Sequence, residues 1–105
     1  MRLEHYPVEQ LKREILEILG RHLELANHRV FFFGSRVRAR GDDRSDIDVG
    51  IEGPEPISAT AWLAIQEELE QLPILYPIQL VDFRYVSPQF RAVALQQYEP
   101  FVGAA

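Results

Sequence analysis

Two carboxylates, Asp46 and Asp48, flank Ile47 at the head of an apolar run that ends Val49-Gly50-Ile51. Ten residues (36–45) separate them from the pair Gly34-Ser35, which directly follows Arg29-Val-Phe-Phe-Phe33. Side chains alternate faces along a strand, so Asp46 and Asp48 are expected on one face, with Ile47 turned into the core. Two like charges held that close repel unless cations sit between them. Magnesium takes carboxylate and phosphate oxygens, and paired acids on one face suit two such ions. Gly34 and Ser35 are the candidate phosphate-holding turn, because glycine lets the backbone approach closely and N–H groups at a helix start attract anions. Alone, the acids read as a solvated strand end and the Gly-Ser pair as an ordinary turn. Together, at this spacing, they are the two halves of a site for phosphoryl transfer.

These halves need elements to position them. A helix is expected over residues 7–25, where Leu11, Ile15, Ile18, Leu19 and Leu23 form an apolar stripe, with Pro7 in its first turn. Residues 26–28 break it. Residues 29–33 read as a buried strand, 35–39 as a short helix with Ser35 near its start, and 41–45 as a polar loop. A second strand is expected over 46–51, then a turn at 53–56 and a helix over 58–72 with Trp62, Ile65, Leu69 and Leu72 on its stripe. A third strand, 78–83, places Ile78, Leu80 and Asp82 on one face. The last helix runs to about residue 98 from Ser87 as N-cap and Pro88 in the first turn. Helices alternating with short strands imply an α/β fold: a small mixed β-sheet with flanking helices, in a single domain over 1–105.

Composition narrows the function classes. Hydrophobic residues make up 47% of the chain, enough for a real core, and the absence of cysteine excludes disulfide and thiolate chemistry. No apolar stretch approaches the roughly 20 residues of a membrane helix, and no signal-peptide core is visible, so a cytoplasmic protein is expected. A net charge of -5 argues against a general nucleic-acid binder. The local balance differs. Arg29, Arg36, Arg38, Arg40 and Arg44 lie within 16 residues around the motif. That suits a compact, highly charged ligand such as a nucleoside triphosphate, since the arginine fork matches phosphate. Individual roles for Arg36, Arg40 and Arg44 stay open, because such arginines can equally pair with Asp42 and Asp43. His5, His22 and His28 have no ligand-like spacing, and Phe31-Phe32-Phe33 is assigned to the core.

Gly34-Ser35, ten residues, then Asp46-Ile-Asp48 resembles the signature of the nucleotidyltransferase superfamily that includes polymerase beta and the aminoglycoside nucleotidyltransferases. The short chain and arginine-rich link look most like its minimal nucleotidyltransferases, which are usually encoded beside a HEPN-domain partner and act as antitoxins. The resemblance implies a polymerase-beta-like nucleotidyltransferase fold, ATP as substrate and Mg²⁺ held by Asp46, Asp48 and a third carboxylate. Asp82, at the end of Ile78-Gln-Leu-Val81, takes that third place by resemblance, as metal ligand and general base. Arg38 occupies the position of an arginine common three residues after the motif serine. The family often follows it with glycine, whereas here Ala39 follows and the glycine comes at Gly41.

At this length nothing is spare for a domain that grips an acceptor, so a partner is expected to present it. The expected reaction is transfer of AMP from Mg-ATP to a hydroxyl, tyrosine by preference, of a HEPN-type toxin. Two other readings stay open: an antitoxin that binds nucleotide and neutralises by contact, and a small-molecule nucleotidyltransferase with an aminoglycoside-like acceptor, working as a dimer with a shared cleft. The oligomeric state is not readable from these residues.

Overall fold

The computed structural model describes residues 1, 3, 5–34, 37 and 46–101. Eight elements follow in chain order: α1 (Val8–Gly20), a 3₁₀ turn (Leu25–Asn27), β1 (Arg29–Phe33), β2 (Ile47–Glu52), α2 (Ala59–Glu70), β3 (Ile78–Asp82), α3 (Pro88–Ala94) and β4 (Glu99–Pro100). The sheet is mixed, as expected, in the order β3-β2-β1-β4. β1 pairs antiparallel with β2 and β4, and β2 pairs parallel with β3 through the α2 crossover.

Alternation divides the sheet into two faces with different coverings. Val30, Phe32, Ile47, Val49, Ile51 and Leu80 join Leu11, Ile15 and Leu19 of α1 and Ile65 and Leu69 of α2 in the main core. Phe31, Phe33 and Phe83 form a second cluster on the opposite face, under Ala94 and Leu95. The Phe31–Phe32–Phe33 run thus serves both faces. The Phe31 and Phe83 rings meet edge-on at 4.8 Å, and Phe33 meets Phe83 at 5.1 Å. Gly50 leaves them room: a β-carbon there would stand 2.5 Å from the Phe31 ring. α3 is capped at its start and tied to the sheet through Arg91. Ser87 Oγ accepts the Phe90 N–H at 3.0 Å, the expected N-cap, and Arg91 clamps the Glu52 carboxylate, with Nη2–Oε1 at 3.0 Å.

Two expected helices end early. α1 stops at Gly20, not near residue 25. Leu25 folds back over that glycine, its Cδ1 3.3 Å from where a β-carbon would stand, so Leu23 and Leu25 reach the core from a turn. α3 stops at Ala94, not near residue 98, and the chain then adds β4 beside β1. A two-residue strand containing proline has no periodic signature to read.

β4 carries a partly buried ion cluster. Glu99 accepts from the buried Lys12 ammonium at 2.8 Å and from the N-terminal amine of Met1. Burial pushes the Glu99 carboxyl up, but the hydrogen bonds from Lys12 and the amine outweigh it and hold it below its ordinary value of 4.5. A depressed carboxyl contributes stability that is complete above its unfolded value and lost as pH falls through the folded one. We expect Glu99→Gln to cost about 1 kcal/mol at pH 7. The gap to wild type should close as pH drops from about 5, in urea melts across that range.

Candidate active site

The antiparallel register sets Phe33, the last residue of β1, against Asp48 of β2. Gly34 therefore leaves the sheet directly beside the Asp48 carboxylate. Its φ is +85°, in the left-handed region. A β-carbon at Gly34 would stand 2.1 Å from Asp48 Oδ2 and 3.0 Å from its Cγ. No side chain fits there, so the turn backbone lies against the acid.

β2 positions the acids. Ile47, Val49 and Ile51 are fully buried on the main-core side. Asp48 is half-buried on the other side, and Asp46 is exposed immediately before the strand. The Ile47 N–H donates to the Pro77 carbonyl at 2.8 Å, so the ladder to β3 begins at the step between the two acids. Ile47 is buried between the two acids, as expected, and Asp48 lies on the face opposite it.

Asp82 is not brought to this site. Its register partner is Ile51, on the main-core side of the sheet, while Asp48 pairs with Gln79. Asp82 therefore lies three steps, roughly 10 Å, along the strand from Asp48 and on the opposite face. Asp82 Oδ1 instead accepts the Arg84 N–H at 3.0 Å, capping the turn after β3, and Arg84 Nη1 reaches the Pro54 carbonyl at 2.8 Å. The expected grouping of Ile78, Leu80 and Asp82 on one face holds, but it is the face away from the acids. Among the described residues no group of three or more His, Cys, Asp or Glu is placed to hold an ion. The side chain that β3 does bring level with Asp48 is Gln79, which is exposed. A signal for it existed: Gln79 is the one polar interruption of Ile78-Gln-Leu80.

Arg29 also leaves the expected basic cluster. It pairs with Glu52 in register, at the end of β1 remote from Gly34, and its guanidinium stands 3.4 Å from the Glu52 carboxylate. Ser35, Arg36, Arg38, Arg40, Arg44 and the expected helix over 35–39 lie outside the described residues. His22 and His28 stay off the site: His22 pairs with Glu68, and His28 Nδ1 donates to the Glu24 carbonyl at 2.7 Å.

A model of the family described as polymerase beta, nucleotidyltransferase matches residues 13–102. The chain belongs to this nucleotidyltransferase family. The match takes in both halves of the site, the turn at Gly34 and the acids of β2. A relative from Haemophilus influenzae, named Probable protein adenylyltransferase MntA, is 28% identical over 90 residues, covering 84% of this chain and 79% of its own. Solved structures share the nucleotidyltransferase fold. A toxin–antitoxin complex with AMP-PNP superposes with a TM-score of 0.70 at 20% identity, over 88% of this chain and 73% of the other. An antitoxin of the minimal nucleotidyltransferase type, in complex with a tri-AMPylated HEPN toxin of Shewanella oneidensis, gives a TM-score of 0.65 at 22% identity, over 90% and 72%.

Proposed function

We propose that this chain transfers AMP from Mg-ATP to a hydroxyl of a HEPN-type toxin, tyrosine by preference, and so acts as that toxin's antitoxin in the cytoplasm. The carrying observation is the closure of Gly34 backbone against the Asp48 carboxylate at the head of β2. The names of the relatives support the choice of reaction: a protein adenylyltransferase, a complex with an ATP analogue and an AMPylated toxin.

Each residue has a role in this reading. Asp46 and Asp48 are the ionic ligands for divalent cations, and their hard oxygens fit magnesium that takes its other ligands from phosphate and water. Gly34 and Ser35 hold the triphosphate by backbone N–H groups. Arg38 meets its remaining charge. Bound Mg²⁺ would neutralise triphosphate charge and favour the ionised acceptor. The acceptor oxygen forms a bond to the α-phosphorus as the bond to the β-phosphate oxygen breaks. Pyrophosphate leaves, and the acceptor proton passes to water. Alignment of the two substrates and charge neutralisation, rather than a covalent enzyme intermediate, lower the barrier.

The test combines the chain, its HEPN partner, Mg²⁺ and ATP labelled at the α-phosphate. Label and one or more added AMP masses are expected on the partner, and Asp46→Asn should remove both. A partner left unlabelled yet fully suppressed by wild type and by the variant would overturn transfer in favour of neutralisation by contact.

A further inference from the structure

β3 presents two side chains to the Asp48 side of the sheet: Gln79, level with Asp48, and Val81, level with Gly50. Val81 packs into the aromatic cluster, which leaves Gln79 at the acids. We propose, on the function argued above, that Gln79 is the β3 side chain of the nucleotide site and that, as a neutral amide, it makes metal binding there conditional on bound nucleotide. Neighbouring strands lie about 4.8 Å apart, so register partners on one face can reach one ion. An amide oxygen can coordinate a hard cation but brings no charge, and affinity for such ions rises with the number of charged ligands. Among the described residues, Asp46 and Asp48 supply the negative charges this reading gives the ion, and magnesium gives up its water reluctantly. The triphosphate must then complete the ion's shell. Asp82 cannot make up the deficit from the opposite face. An amide also takes up no proton near neutral pH, so β3 places no base level with Asp48.

The position is open to test because Gln79 is exposed and outside both cores. Mn²⁺, titrated calorimetrically into nucleotide-free protein, is the probe. Wild type and Asp82→Asn should both bind it weakly, at millimolar levels, and Gln79→Asp should tighten binding about tenfold. Gln79→Glu serves as the second variant if the shorter acid disturbs the strand, with matching melting curves as the check on folding. Unchanged Mn²⁺ affinity in both acid variants would overturn the inference. So would micromolar binding by nucleotide-free wild type, or a loss in Asp82→Asn equal to that in Asp48→Asn. A separate titration distinguishes failure of the underlying reading. If Asp48→Asn still binds a non-hydrolysable ATP analogue with full Mn²⁺ dependence, the site itself is elsewhere.

Discussion

Asp48→Asn should lower AMP transfer by a factor of about a thousand, the upper range for losing one group that stabilises transition-state charge. The change is one atom in a half-buried side chain. It keeps the shape that fills the space beside Gly34 and keeps the Phe33 register partner in place. Stability should therefore move by no more than about 0.5 kcal/mol, or roughly 2 °C in melting temperature for a chain of this size. The pairing of a large kinetic loss with an unchanged melt is what distinguishes a ligand from a packing residue. Asp82→Asn is the matching control. It keeps the oxygen that caps the turn after β3 and should cost no more than about 0.5 kcal/mol of stability, with transfer retained. Full transfer by Asp48→Asn, or equal losses in both variants, would sink the assignment of the acids.

Most of the strand framework was readable because strong local signals coincide with element edges. Phe33 is followed by a glycine, Ile47 lies between two acids, and Ser87-Pro88 opens a helix. Each signal depends only on neighbours in sequence. The misplaced residue was Asp82, and the reason is physical. Alternation within β3 is visible in its own residues, but which of its faces meets Asp48 depends on the pairing of β2 with β3 across a helix. A slip of one residue exchanges the faces, and the one local sign of it in Ile78-Gln-Leu-Val-Asp82 is the polar Gln79 between Ile78 and Leu80. The core decides it: Leu80 must join Val49 under α1 and α2, which carries Asp82 to the core side and Gln79 to the acids. Arg29 was misplaced for a similar reason. Nearness in sequence to Gly34 counts for little when the whole length of β1 separates them. β4 escaped notice because two residues on an edge carry no pattern.

Gly34→Ala is expected to damage fold and function together, which sets it apart from the acid substitutions. The left-handed backbone at Gly34 costs a residue with a side chain about 1–2 kcal/mol before any contact is counted. The new methyl would also fall 2.1 Å from Asp48 Oδ2, well inside contact distance, so either the turn or the carboxylate must move. On the proposed function, moving the turn would withdraw backbone N–H groups from the phosphates, and moving Asp48 would take a charged ligand out of place. A displacement near 1 Å is enough to cost about a hundredfold in rate. The total loss of stability should reach about 2–3 kcal/mol, seen as a lower urea midpoint with an unchanged slope. Gly34→Asn tolerates the same φ better but carries the same β-carbon into Asp48, so it should recover part of the stability and none of the transfer. Combining Gly34→Ala with Asp48→Gly tests the contact itself. Removing the carboxylate should restore most of the contact penalty in the melt and leave only the backbone strain, with transfer still absent. Independent, additive losses in that double variant would show that the turn and the acid do not touch, and the site would lose its central contact.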